Sequence, residues 1–374
     1  MGHRQASSEF ALSAADGRAV ARKVIPLALI AAAVVALALL AHSQIRSIAH
    51  ALQAVGDLSP SWIIIALAFE ALSLAGYVAL MSLVIGRSAP RVDLRVSAQV
   101  TLAGAAATRL LPTAGAGGAA LTLWTLRRAG LQPRAAARAL VAFFVVLYSV
   151  FLSAIVLSGA ALSLGWVTAD GPVALSAIPA MIALIGIVTC SILATGRGTP
   201  LPAEPDADHG RASRRSRMRA DAQLVGHAVR DGTRLVRSGD PRVLGAAAYW
   251  LFDAAVLWAM LHAFGSSPAL PVIALAYLVG QVANTIPLPG SVSGGTTGLL
   301  IAFGSAPAVA LPAVLAYRAV SVWLPTPAAL AAVPRLRHTV ASWAREDEQA
   351  KTPIARPDFS AGRARLESSV GVAA

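Results

Sequence analysis

The sequence predicts an all-α polytopic membrane protein with six full spans and two re-entrant broken-helix hairpins, arranged as two inverted repeats. Composition is the first reason, because 56% of the 374 residues are hydrophobic and only 13% are charged. Soluble domains carry about 25% charged residues. The second reason is that basic residues are confined to a few segments. The third is a Leu-Pro-x4-Gly-Gly phrase that occurs at 111–118 and again at 288–295.

The predicted spans follow from length and apolarity, since a spanning helix needs about 20 apolar residues. Six segments meet or approach that length: 24–41, 62–85, 139–163, 173–194, 244–264 and 310–333. We interpret the first as a retained helix, because it is longer than a signal-peptide core and lacks a clear cleavage site. Two further apolar stretches, 97–126 and 271–306, are each interrupted by the repeated phrase. Both are shorter than the roughly 40 residues that two full crossings need.

Lysine and arginine predict the orientation, because cytoplasmic loops are enriched in them. Of the 31 basic residues, 28 lie in five segments: 1–23, 86–96, 127–138, 195–243 and 334–374. All 28 lie inside if both interrupted stretches enter and leave the membrane on one side. We therefore interpret both as re-entrant hairpins, the first from the cytoplasm and the second from outside. The alternative, that each is a kinked single span, would put the arginine-rich loop 127–138 outside.

The order of elements then repeats. Residues 24–163 form one unit of two helices, a hairpin and a helix, and residues 164–333 repeat that order around a cytoplasmic basic loop at 195–243. Because each unit crosses three times, the second is inverted, which is the plan of many secondary transporters. We interpret residues 1–23 as a cytoplasmic N-terminal tail and residues 334–374 as a disordered cytoplasmic tail.

The basic loop at 195–243 has two interpretations. A polybasic segment beside a membrane helix attracts anionic lipid. We favour a disordered linker that also helps to set topology. In the alternative, residues 221–237 form a short amphipathic helix on the membrane.

The repeated phrase has a specific backbone chemistry. Proline removes a backbone donor, and paired glycines allow a positive φ and close backbone approach. Together they should unwind the chain at membrane depth and restart a helix, whose N-terminus attracts an anion. Alternatively, the glycine pairs permit tight helix packing. The residues expected to break the hairpins and face an anion are Pro112, Gly117, Gly118, Pro289, Gly294 and Gly295.

Four ionisable residues other than histidine lie inside apolar segments: Glu70, Arg109, Asp253 and Arg318. Each costs about 2.5–3.5 kcal/mol on insertion scales, so we expect burial or pairing. Glu70 and Asp253 occupy matching positions of the two units. From their depths we predict that Glu70 lies near Arg318 and that Asp253 lies near Arg109. The pairs either fix helix register or line a polar route across the bilayer.

Other polar and aromatic residues of the apolar segments have less specific interpretations. We interpret Tyr148, Trp250, Trp258 and Trp323 as packing or interface anchors. Hydroxyls near the second phrase either supply polar atoms to the hairpin or cap the restarted helix; they belong to Ser291, Ser293, Thr296 and Thr297.

Enzyme chemistry is not expected. The sequence holds no nucleotide loop, zinc spacing or catalytic triad candidate, so we expect no cofactor and no metal. The one cysteine, Cys190, excludes a disulfide within the chain.

Three stretches resemble the transmembrane region of the lysylphosphatidylglycerol synthases, a flippase-like family: LLPTAGAGGAALTLWTLRRAGL, IPLPGSVSGGTTGLLIAFG and AVLAYRAVSVWLP. The resemblance covers about residues 24–333. The positions that match the family pattern are Leu288, Pro289, Gly294, Gly295, Tyr317, Arg318, Leu324 and Pro325. Where family members often carry an acid after the second Gly-Gly, this chain has TTGLL. We expect a stand-alone member without the soluble aminoacyl-transfer domain.

The resemblance implies a multi-pass protein of the bacterial plasma membrane that moves anionic, aminoacylated or otherwise modified phospholipid between leaflets. The distribution of basic residues predicts that both termini are cytoplasmic. Its expected partners are anionic membrane lipids and a lipid-modifying enzyme, and not nucleic acid. One alternative is an ion-coupled transporter of a small solute; another is a non-catalytic partner of a lipid- or glycan-modifying enzyme. The predicted translocation residues are Glu70, Arg109, Asp253, Tyr317 and Arg318.

Overall fold

The computed structural model describes residues 58–110, 116–195, 214–285, 290–323 and 325–351, and these residues form helices without a strand. The helices of the first half are α1 (Pro60–Val84), α2 (Leu94–Leu110), α3 (Ala116–Arg128), α4 (Pro133–Ser163) and α5 (Val173–Thr195). Those of the second half are α6 (Arg214–Arg237), α7 (Gly245–Ala263), α8 (Leu270–Val282), α9 (Ser291–Ala302), α10 (Pro307–Arg318) and α11 (Thr326–Lys351). Short 3-10 turns precede α7 and follow α8, and a π-helical segment, Ala319–Trp323, follows α10.

Five helical stretches of the described residues are long and apolar enough to cross a membrane: Pro60–Val84, Pro133–Ser163, Val173–Ile192, Pro241–Ala263 and Pro307–Ala350. They confirm that five of the predicted span segments are helical. The sixth predicted span, 24–41, lies outside the described residues. An α-helix suits these apolar segments because it satisfies its own backbone hydrogen bonds where lipid offers no partner.

Proline marks the start of several of these helices. Pro60, Pro133 and Pro307 each lie in the first turn of their helix. At that position the missing N–H would be unpaired in any case, and the fixed φ of proline already suits a helix. The proline-initiated helices therefore begin abruptly after short extended connections.

The contacts between helix ends define two faces of the bundle. On the basic face, three ion pairs join the α1–α2 connection and α4 to other elements: Arg87 with Asp240, Arg91 with Asp347, and Arg138 with Asp231. On the opposite face, Trp62 at the start of α1 approaches His262 at the end of α7. Gly171, after α4, packs there on Phe303 at the end of α9. The described residues of that opposite face carry Asp170 and no lysine or arginine.

Both interrupted stretches are pairs of packed antiparallel helices. In the first, α2 and α3 approach at Gly104 and Gly118, which lie equally far from the outer ends of the pair. In the second, α8 and α9 approach at Gly280 and Thr296. The outer ends of α2 and α3 lie on the basic face, whereas those of α8 and α9 lie on the opposite face. Each stretch thus holds two separate helices, as predicted, while residues 111–115 and 286–289 lie outside the described residues and re-entry into the membrane stays a prediction.

The tail prediction is wrong for residues 334–351, which belong to helix α11. Leu336, Val340 and Trp343 recur at helical spacing and are buried, and α11 packs against α2. Thr339 donates a hydrogen bond of 3.0 Å to Gln99 of α2. This amphipathic face explains why a segment rich in charge is ordered.

The disordered-linker interpretation is likewise wrong for residues 214–237, which form helix α6. Its apolar face packs on α4 and α5, with Ala228, Val229 and Leu235 buried. Gly232 permits close approach, because a Cβ there would lie 3.1 Å from Val146. The alternative interpretation, an amphipathic helix at 221–237 on the membrane, agrees better with the structure. The helix nevertheless starts earlier, at Arg214, and its apolar face packs on protein helices.

Candidate functional site

Helices α1 and α7 form a closely packed antiparallel pair at the centre of the bundle. A Cβ on Gly76 of α1 would lie 2.8 Å from the backbone oxygen of Gly245 of α7, so only glycine permits this crossing. Along the pair, residue numbers rise on one helix as they fall on the other. The contacts that fix this register are Trp62 with Trp258 (6.1 Å), Phe69 with Phe252 (5.9 Å), and Gly76 with Gly245.

This register puts Glu70 and Asp253 at the same level of the bundle, because each directly follows one member of the stacked Phe69–Phe252 pair. Glu70 is 7% exposed and Asp253 is 8% exposed. At a rise of 1.5 Å per residue, Glu70 lies about 15 Å from the start of α1, and Asp253 about 12 Å from the start of α7. Two buried acids thus lie near the middle of the apolar helices.

Asp253 is held by tyrosines from two other helices. Its Oδ2 atom accepts hydrogen bonds from the hydroxyl of Tyr277 on α8 at 2.6 Å and from that of Tyr317 on α10 at 3.3 Å. The side-chain amide of Gln281 on α8 donates to the Tyr317 hydroxyl at 3.0 Å. These four residues form the polar cluster, which connects α7, α10 and one arm of the second hairpin.

Two further charges surround the polar cluster. The Tyr317 hydroxyl lies within electrostatic range of Glu70 and of Arg318 as well as of Asp253. The predicted pairing of Glu70 with Arg318 stays a prediction. The side chain of Arg109 lies outside the described residues, so its pairing with Asp253 stays a prediction. Among the predicted translocation residues, the described structure joins Asp253 and Tyr317 by a direct hydrogen bond.

All five tyrosines of the chain belong to one aromatic network, which sequence reasoning missed. Tyr77 lies 5.0 Å from Tyr249, and Tyr277 lies 6.2 Å from Tyr317. Trp250 connects the two pairs, at 4.8 Å from Tyr249 and 6.3 Å from Tyr277, and Tyr148 lies 5.9 Å from it. The five tyrosines inside apolar segments were the available signal, because a tyrosine hydroxyl inside an apolar bundle needs a hydrogen-bond partner.

Trp250 is a packing anchor, as predicted. Its side chain is 8% exposed, and its ring nitrogen donates to the backbone oxygen of Leu147 at 2.9 Å. This bond ties α7 to α4. Tyr148 is 46% exposed, which suits an anchor facing lipid.

The glycine doublets lie near the starts of α3 and α9 and permit close packing. A Cβ on Gly117 would lie 2.8 Å from the backbone oxygen of Ala107, and one on Gly118 would lie 3.1 Å from that of Gly104. A Cβ on Gly295 would lie 3.6 Å from the Cα of Gly280, whereas one on Gly294 would meet no atom within 4 Å. The packing interpretation therefore fits three of the four glycines.

The expectation that the doublets supply a positive φ is wrong. In the second phrase the described residue with a left-handed backbone is Gly290, whose φ is 79°, and it is the N-cap of α9. The N-cap residue Gly290 supplies no side-chain cap itself, and capping by the hydroxyls of the phrase stays a prediction. Instead Thr296 and Thr297 are buried, and Thr296 packs on Gly280 of α8. Pro112 and Pro289 lie outside the described residues, as does any meeting of the two hairpin tips.

Metal chemistry has no support in the described ranges, where no group of three histidine, cysteine or acidic residues is placed to hold an ion. What the arrangement offers is a buried set of carboxyl, hydroxyl and amide groups. Such a set can bind a polar or charged group, or exchange a proton with it.

The comparisons with known proteins agree with this architecture. The family model described as the lysylphosphatidylglycerol synthase TM region matches residues 24–329. The match covers the helices that hold the polar cluster and both hairpins. None of the curated proteins compared with the chain matches it.

Proposed function

The chain belongs to the lysylphosphatidylglycerol synthase TM region family, a family of membrane domains related to lipid modification, and from this premise we propose that it is a lipid translocase. Its substrate is an anionic, aminoacylated or otherwise modified phospholipid of the bacterial plasma membrane. The headgroup passes through the bundle by way of the polar cluster, while the acyl chains stay in lipid.

The observation that carries the proposal is the polar cluster itself. A buried acid inside apolar helices is costly and marks a functional site by default. Here Asp253 is hydrogen-bonded to Tyr277 and Tyr317, while Glu70 lies at its level. A purely structural role would need only one hydrogen-bonded pair of side chains, whereas a transport route needs several polar groups near the middle of the membrane.

The opposed hairpins support the same proposal. The α2–α3 pair has its outer ends on the basic face and the α8–α9 pair on the opposite face, as two re-entrant hairpins in inverted repeats would. The basic face is then cytoplasmic, because basic residues concentrate there. Interrupted helices at membrane depth are tolerated where protein or a water-filled cavity surrounds them, and the polar cluster lies beside one of them.

A second candidate function is ion-coupled transport of a small solute. The observation in its favour is that two carboxyl groups, Glu70 and Asp253, are buried at one level. Either is a suitable proton carrier. Under this candidate, Glu70→Gln would abolish proton-driven uptake of the solute.

The test is lipid movement in proteoliposomes. Fluorescent phosphatidylglycerol or its lysylated form should cross faster with the protein than without it, and Arg318→Ala should slow the crossing. Arg337→Ala, an exposed arginine on α11, is the matched control and should leave the rate unchanged. If neither lipid crosses faster in the presence of the protein, the translocase proposal is overturned.

A further inference from the structure

A cavity of about 560 Å³ lies on the basic face, bounded by the end of α1, the start of α4 and helix α6. Four arginines line it: Arg87, Arg134, Arg138 and Arg234. Asp231 is the one acid among its lining residues, so the lining carries a formal net charge of +3, four positive against one negative. This volume falls within the range of small-molecule sites, roughly 300–1,000 Å³.

The cavity is amphipathic. Val84, Leu131, Leu224 and Leu235 line it beside the arginines. An anionic headgroup can bind the guanidinium groups while the first methylenes of an acyl chain lie on the apolar lining. A small inorganic anion would use only the charged part of such a site.

An ion pair between α4 and α6 fixes the shape of the cavity. The guanidinium of Arg138 forms an ion pair with Asp231 at 2.7 Å and so neutralises that carboxylate. Arg234 lies 3.9 Å from Asp231 and is 80% exposed, and Arg87 is 52% exposed. These two side chains reach the mouth of the cavity at a low cost in free energy, because neither is held by a short ion pair.

We propose that this cavity between α1, α4 and α6 binds the phosphate headgroup of an anionic phospholipid from the leaflet on the basic face. The site differs from the polar cluster and shares no residue with it. Basic pockets between membrane helices on the cytoplasmic side are suited to anionic lipid headgroups. Binding here joins α6 to the membrane helices through lipid as well as through the Arg138–Asp231 pair.

The test measures lipid binding to the full chain in detergent, by titration with short-chain phosphatidylglycerol and with phosphatidylcholine. We expect tighter binding of phosphatidylglycerol, and about a fivefold loss of its affinity in Arg87→Ala and in Arg234→Ala, as one surface charge each implies. Arg237→Ala is the matched control, because Arg237 lies on the same helix outside the cavity. Because Arg87 and Arg234 are at least half exposed, the melting temperature of these variants should match that of the parent.

Several outcomes would overturn the proposal. Equal affinity for the two lipids would exclude a site that selects an anionic headgroup. An equal loss in Arg237→Ala would assign the binding to general surface charge. Displacement of phosphatidylglycerol by millimolar inorganic phosphate would assign the cavity to a free anion rather than a lipid. The assay records binding and not transport, so it is independent of the translocase proposal.

Discussion

The hydroxyl of Tyr277 on α8 donates a hydrogen bond of 2.6 Å to Oδ2 of Asp253 on α7, and both side chains are almost fully buried. This contact joins an arm of the second hairpin to a central spanning helix. Because hydrogen bonds to charged groups are the stronger ones, the bond fixes where the hairpin packs.

Tyr277→Phe should therefore destabilise the protein, by about 1–3 kcal/mol, since it removes a buried donor from a carboxyl group. We expect a lower melting temperature of the purified protein in detergent, together with slower lipid movement in proteoliposomes. Tyr148→Phe is the control, because Tyr148 is 46% exposed and faces outward. An unchanged melting temperature in Tyr277→Phe would contradict the importance of this contact.

The first glycine of each doublet should respond differently to alanine. Gly117→Ala brings a Cβ to 2.8 Å from a backbone oxygen of α2, and such overpacking costs about 1–3 kcal/mol. Gly294→Ala meets no atom within 4 Å and should be neutral or slightly stabilising. Melting temperatures of the two variants, measured side by side, give the comparison. Equal losses would mean that the hairpins pack alike, contrary to the structure.

The sequence predicted those features that depend on composition and local backbone chemistry. Apolar length predicted five of the long helices, and the two Leu-Pro-x4-Gly-Gly phrases predicted that each interrupted stretch holds two separate helices. These features were readable because each depends on residues close together in the chain.

The features that were missed depend on contacts between distant segments. Asp253 is hydrogen-bonded to Tyr277 and Tyr317, and no local sequence pattern predicts partners on two other helices. The sequence analysis predicted disorder where α6 and α11 form helices, and it did so for a different reason. Their charged faces dominate the composition, whereas their stability comes from a narrow apolar stripe such as Leu336, Val340 and Trp343.

That stripe yields a prediction for α11. Trp343→Ala should cost about 3–5 kcal/mol, because the ring is 7% exposed and packed in the hydrophobic core. Arg345→Ala, two residues later on the exposed face, should have little effect. Limited proteolysis should then cleave the Trp343→Ala variant within α11 faster than the parent. Equal cleavage rates would show that α11 does not depend on this side chain.

Asp240 should make stability on the basic face depend on pH. Hydrogen bonds from the side chain and backbone N–H of Arg242 lower the pKa of Asp240 from 3.8 to about 2. Because the folded-state pKa is depressed, the stabilisation is present above about pH 4 and is lost as the pH falls toward 2. The melting temperature of Asp240→Asn should lie below that of the parent at pH 7, and the gap should close as the pH falls from about 4 to 2.

Asp170→Asn is the matched control for Asp240, since Asp170 is an exposed acid on the opposite face. A loss shared by both variants would report only the general effect of removing a negative charge. A gap for Asp240→Asn that stays constant with pH would assign its effect to the N-cap geometry.

Cysteine labelling distinguishes a re-entrant first hairpin from a kinked single span. In a Cys190→Ser background, single cysteines replace Arg95 in the first turn of α2, Arg127 at the end of α3, or Asp170 on the opposite face; all three positions are exposed. A re-entrant hairpin puts Arg95 and Arg127 on one side of the membrane, because the outer ends of α2 and α3 are adjacent. A membrane-impermeant maleimide added to intact cells should therefore label Asp170→Cys alone, and all three after permeabilisation. Labelling of Arg127→Cys but not Arg95→Cys in intact cells would mean that the α2–α3 pair crosses the membrane once, and the inverted-repeat arrangement would then fail.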